Sequence, residues 1–166
     1  VLVAACGDDS SGPAATSRAI TATPAASPFP VTLKDGSGSE VTLTAAPKRI
    51  VALAPSFVEI LYAVGADDSL VAVDENTDYP PAAASLPKLS GFQPSVEGIA
   101  AQSPDLVIIT YDPSGLREAL ERLDIKGLNL DAPESVQGAF DQMQLLGRAV
   151  GRRDNADKLI GDMRAS

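Results

Sequence analysis

The sequence contains no histidine. That absence removes the commonest general base, the Ser-His-Asp arrangement and histidine-based zinc sites together. It has a single cysteine, Cys6, so an internal disulfide is excluded. Basic residues are scarce: 13 Lys and Arg stand against 22 Asp and Glu, giving a net charge of −9. Lys and Arg also form no run. Phosphate neutralisation needs them clustered, so nucleic acid is not an expected partner. Phosphate-cradling motifs are missing too: no G-x-G-x-x-G follows an apolar run, and G-x-x-x-x-G-K-[ST] does not occur.

What is present suits one compact domain with a core, since 45% of the 166 residues are apolar. The amino-terminal stretch differs from the rest. Val3-Ala4-Ala5-Cys6 resembles a bacterial lipobox, in which small residues admit the signal peptidase to the bond before the cysteine. On that reading residues 1–5 are the remnant of a signal peptide, and Cys6 is the lipidation site. The expected location is the bacterial envelope, outside the cytoplasm and lipid-anchored. A buried core cysteine is the competing reading, but Cys6 precedes a long low-complexity stretch rich in Ser, Thr, Ala and Pro. Residues 6–29 therefore read as a flexible membrane tether.

Beyond the tether, periodicity predicts the elements. Val31-Thr32-Leu33 and Val41-Thr42-Leu43 alternate with period two around Asp35-Gly36-Ser37-Gly38, which predicts an edge β-hairpin. Ile50 to Ala54 is a continuous apolar run, as expected of a strand buried on both faces. Ser56 and Glu59 have capping-box spacing before a helix carrying Phe57, Ile60, Leu61 and Val64, and Gly65 ends it. Strands are predicted at Leu70 to Val73, Leu106 to Thr110 and Leu128 to Leu130. Helices are predicted at Glu97 to Gln102, around Leu116 to Leu123, and from Val136 to Val150. The alternation implies an α/β fold: a parallel sheet with helices on both faces. A last stripe, Ala156, Leu159, Ile160 and Met163, can be capped by Asp154 or Asn155 but meets no stop signal, so the natural protein is expected to continue.

Two chemistries are set aside on residue identity. Asp74, Asn76 and Asp78 begin like an EF-hand loop, but Tyr79 stands where the turn needs Gly, and Ser85 where it needs Glu. A polar turn is the expected role. Ser56 follows a strand, yet Ala-Pro-Ser-Phe-Val is not a nucleophile elbow, and no histidine is present to activate it. Ser56 reads as an N-cap first and a ligand contact second.

Four segments, taken in order, resemble one family. They are Pro47 to Ser56 with Glu59-Ile60-Leu61; Asp78-Tyr79-Pro80-Pro81; Leu86-Pro87-Lys88 with Gly91-Phe92; and Pro94 to Glu97 with Ser103 to Val107. The chain is similar to the substrate-binding proteins of ABC importers that take up ferric siderophores, cobalamin or haem. The resemblance implies two α/β lobes joined by a rigid helix. Residues 30–151 would form the amino-terminal lobe and 152–166 the start of the interlobe helix, with the second lobe missing. It further implies a ligand held between the lobes and a carboxylate that docks on the permease, matched here by Glu97. A first-turn acid that favours the helix dipole is the competing role for Glu97.

Open parallel sheets bind ligands beyond the carboxyl ends of their strands. Those ends supply Pro55, Ser56 and Phe57, then Tyr111 and Asp112, with Tyr79 and Phe92 on nearby connections. Aromatic faces suit bulky ligands, giving large contact area with little entropy to lose. Core packing is the competing role for Phe57 and Phe92. No catalytic residue, protein metal ligand or resident cofactor is expected. The expected partners are a ferric siderophore or corrinoid (haem less so), the ABC permease and the membrane; the expected state is a monomer. Two other readings stay open: a membrane-anchored α/β enzyme using Asp112 or Asp131, and an adhesion module without a small-molecule site.

Overall fold

The structure is a computed structural model and describes residues 28–112 and 115–165. Cys6, its lipobox and most of the tether lie outside the described residues. Strands β1 (Val31–Lys34) and β2 (Glu40–Leu43) form the expected antiparallel hairpin, with Val31 opposite Leu43. Their period-two alternation turns Leu33, Val41 and Leu43 into the core and leaves Thr32 and Thr42 paired outside, hydroxyls 2.9 Å apart.

The main sheet contains β3 (Ile50–Ala52), β4 (Leu70–Asp74), β5 (Lys88–Leu89), β6 (Leu106–Ile109) and β7 (Lys126–Asn129). All pairs are parallel, in the order β5-β4-β3-β6-β7. The strands are interleaved with α1 (Pro55–Ala63), α2 (Val96–Ala100), α3 (Leu116–Glu121), α4 (Val136–Ala149) and α5 (Arg153–Ala165). Both faces of the sheet are buried, and the side-chain alternation shows which layer covers which. Ile50, Ala52, Leu106 and Ile108 pack with Phe57, Leu61, Leu146, Ala156 and the hairpin. Val51, Leu53, Val107 and Ile109 point the other way, onto Ile99, Leu116, Leu120 and Ile125. The hairpin and α1, α4 and α5 therefore cover one face, α2 and α3 the other. This is the α/β architecture that the sequence predicts.

At the amino end of the sheet one clamp joins two of the quoted motifs. The Asp105 carboxylate accepts the backbone N–H groups of Lys48 (2.8 Å) and Arg49 (3.1 Å). The Arg49 guanidinium donates to the carbonyls of Gln102 and Ser103, in the turn that follows α2.

Several boundaries differ from expectation. Regular pairing of β3 stops at Ala52, because the extended residue Ala54 becomes the N-cap of α1. Pro55 occupies the first turn, where its fixed φ and missing N–H cost nothing. Ser56 thus lies inside the helix and makes no cap, so the capping-box reading is corrected. The helix does end at Gly65. With φ +73, Gly65 sends its N–H to Tyr62 O (3.0 Å) while Ala66 N–H reaches Leu61 O (2.8 Å), a Schellman closure. The caps that form are Ser95 on α2 and Ser135 on α4, accepting from Gly98 and Gly138 respectively. Leu123 falls beyond α3, and Leu123 and Val136 are exposed, outside the apolar stripes expected of them. The two-residue β5 is too short to leave a periodic signal.

Candidate functional site at the carboxyl edge of the sheet

Because every strand of the main sheet is parallel, all carboxyl ends face one edge. The residues predicted to bind ligand divide there by burial. Phe57 is 1% exposed, inside the core between sheet and helices. Its place on the helical face turns the ring inward, so the structure assigns it to packing and removes it from the binding wall. Pro55 is half-buried and Ser56 exposed. Phe92, Tyr79 and Tyr111 are 74%, 62% and 41% exposed, an unusual state for large aromatics.

Phe92 and Tyr111 form a unit. The Tyr111 hydroxyl donates to the Phe92 carbonyl at 2.6 Å, tying the loop after β5 to the end of β6. Ser56 and Tyr79 belong to a second unit. They line a cavity of about 380 Å³ with Ile60 of α1, Met143 of α4 and Leu159 of α5; Phe92, Tyr111 and Asp112 do not line it. Asp112 accepts the Arg117 N–H at 3.0 Å and so serves the start of α3. Asp131, the other acid weighed for catalysis, accepts from the Asn129 side chain at 3.2 Å. Among the described residues, no group of three or more Cys, Asp and Glu side chains is arranged to hold a metal ion.

Glu97 sits in the first turn of α2, fully exposed. Its own backbone N–H, and then the Ser95 hydroxyl at 3.0 Å, donate to the carboxylate and hold its pKa below the ordinary carboxylate value. A fixed, solvent-facing negative charge results.

Sequence reasoning gave Asp74 only a polar turn. It is in fact buried, 4% exposed, and accepts three N–H groups. An acid closing an apolar strand, with Asn two residues on, is the signature of an Asx turn and was the available signal. Gln142 was also missed. It is buried beside the cavity and donates to the Asp131 carbonyl at 3.1 Å.

The profile of one family, described as periplasmic binding protein, matches residues 50–166, from the first residue of β3 through α5. The chain belongs to the periplasmic binding protein family. It is 33% identical over 141 residues to the ABC transporter substrate-binding lipoprotein YvrC of Bacillus subtilis, covering 82% of this chain and 45% of that protein. A cobalamin-binding protein of Halobacterium salinarum is 32% identical over 143 residues, covering 82% of this chain and 38% of that protein. The chain thus spans less than half the length of these two relatives. Among solved structures, the ABC-type Fe3+-hydroxamate transport system of Saccharomonospora viridis superposes with a TM-score of 0.69 at 27% identity, over 82% of this chain and 54% of that one. The family match spans the whole parallel sheet, with the exposed rings of Phe92 and Tyr111 near its carboxyl edge.

Proposed function

We propose that this periplasmic binding protein is the extracytoplasmic ligand-capturing component of an ABC importer, carrying cobalamin or a ferric siderophore to its permease. The observation that carries the proposal is the coincidence of family membership with Tyr79, Phe92 and Tyr111 exposed at the carboxyl edge. The ledge formed by Phe92 and Tyr111, with Tyr79 at the neighbouring cavity, offers apolar area to a corrin ring or a chelate and needs no protein ligand to the metal. Cobalamin comes first, because it is named for a relative above 30% identity, and a ferric hydroxamate second. Haem ranks third. Residues 30–151 offer iron no histidine; at their carboxyl edge the exposed tyrosines are Tyr79 and Tyr111, and the Tyr111 hydroxyl is already engaged with Phe92.

Three finer assignments belong to the same proposal. Ser56, Tyr79, Phe92 and Tyr111 contact the ligand, with Pro55 starting the helix that carries Ser56 and Asp112 supporting the start of α3. Glu97 is the docking carboxylate, supported by its full exposure and persistent charge. Cys6 bears the lipid, supported by the lipobox and by the lipoprotein name of the Bacillus relative. Residues 30–151 act as one lobe and α5 begins the connection to a second, in keeping with relatives about twice as long.

Absorbance titration of the full-length protein with cyanocobalamin, a ferric hydroxamate and haem tests the reading. A saturable one-to-one change with cyanocobalamin is expected. Saturation with none of the three overturns it.

A further inference from the structure

Of the exposed aromatics, Phe92 stands on a loop that is pinned from beneath. Asp74 ends β4, buried under that loop. One carboxylate oxygen accepts the Asn76 backbone N–H (2.9 Å) and side-chain amide (3.1 Å), and the other accepts the Gly91 N–H (2.9 Å). Gly91 lies hard against its supports: a Cβ there would overlap both the Asp74 carboxylate and the Leu53 carbonyl oxygen. The loop therefore rests on the ends of β3 and β4 together. The next residue, Phe92, projects its ring to solvent, while its carbonyl receives the Tyr111 hydroxyl from the end of β6. On the outer side, Ser90 donates to Glu75 (2.8 Å) and accepts the Gln93 N–H (3.2 Å), which closes the loop.

From this chain of contacts we propose that Asp74 is a positioning residue for the ligand ledge. Through the Gly91 amide it fixes the backbone that presents Phe92 and anchors Tyr111, without touching ligand itself. The inference rests on the functional reading above and names a determinant that the reading leaves open. Its physical basis is pre-organisation. A ledge already held in its binding geometry loses less freedom when ligand arrives. A buried carboxylate suits the task because it offers two acceptor oxygens and no donor, matched here to three N–H groups.

Asp74→Asn isolates that feature. It keeps size and shape but replaces one acceptor with an NH2, which must then face either the Gly91 N–H or the Asn76 N–H groups. Two measurements on the full-length protein decide the matter. The first needs no ligand. In the wild type, the Gly91 amide should exchange hydrogen more slowly than the exposed Phe92 amide. In Asp74→Asn, exchange at Gly91 should rise about tenfold while Val51 and Val107 in the central strands keep their protection. Gly91 exchanging as fast as Phe92 in the wild type overturns the proposal. So does unchanged exchange in the variant. A variant that fails to fold, or that loses protection across the whole sheet, assigns Asp74 to general stability and overturns it as well.

The second measurement is cyanocobalamin affinity, expected to fall about tenfold in Asp74→Asn with the central strands still protected. Gly91→Ala, which pushes the loop off the same carboxylate, should weaken affinity in the same direction. Undiminished affinity in Asp74→Asn overturns the proposal. If the wild type binds no probe at all, the functional reading fails, and the exchange result still judges the pinning of the loop.

Discussion

Glu97 has a local role that the structure shows directly. Near the start of α2 its charge favours the helix dipole, and it accepts the Ser95 hydroxyl while Ser95 caps Gly98. The carboxyl is held below its ordinary pKa by its own backbone N–H and then by Ser95. A depressed folded value means that folding favours the charged form. The associated stabilisation is present above the unfolded carboxylate range and is lost as pH falls through the folded value. Titration followed by carboxyl NMR should place Glu97 below the ordinary carboxylate range, and Ser95→Ala should move it upward. A Glu97 midpoint unmoved by Ser95→Ala would remove the hydroxyl from the account. The aromatics show what single residues do not reveal in a sequence. Phe57 and Phe92 have the same side chain, and only the tertiary fold assigns one to the core and the other to solvent. Phe57→Ala should cost about 3–5 kcal/mol in denaturant unfolding. Phe92→Ala, at a position already mostly in water, should change stability by less than about 0.5 kcal/mol.

At the scale of elements, the β1–β2 hairpin lies outside the main sheet and depends on a polar lock. The turn between its strands docks on β7, Gly36 N–H reaching the Asn129 carbonyl at 2.8 Å. Asp35 beside it is buried and accepts Ser37, Ser39 and the Arg117 guanidinium at 2.9 Å. Arg117→Ala leaves that carboxylate buried without its cation, and should lower unfolding stability by about 3 kcal/mol. The pair Asp35→Asn with Arg117→Met should recover part of the loss, because the buried charge is then gone. Equal midpoints for the single and double variants would argue that the ion pair does not fasten the hairpin. The strands and major helices of this domain are legible in its sequence because runs such as Ile50 to Leu53 are buried on both faces. Caps were less legible. Pro55 outcompetes Ser56 for the start of α1 by sterics that a capping-box pattern ignores. Strand β5 is specified by its neighbour: Val73 and Glu75 donate to the Pro87 and Leu89 carbonyls across it.

For the molecule as a whole, ligand capture and delivery should be separable, because the residues proposed for them use different chemistry. The residues proposed for ligand contact are aromatic rings and a hydroxyl, none of them charged. Glu97 is an exposed carboxylate on a chain whose net charge is −9, so any partner surface that receives it must be basic. Its charge persists to lower pH than that of an unsupported carboxylate, because its own backbone N–H and the Ser95 hydroxyl donate to it. Substituting Glu97 by Ala in the full-length protein should therefore leave cyanocobalamin affinity within about twofold, since the side chain contributes nothing to the ledge. Uptake into cells should drop by about tenfold or more, as expected when an interface charge loses its partner. Glu97→Gln should behave like the Ala variant, because it keeps the shape and removes only the charge. Raising the salt concentration should weaken docking of the wild type more than that of either variant. Normal uptake by both variants would take Glu97 out of the interface and leave it a cap-supporting acid at the start of α2.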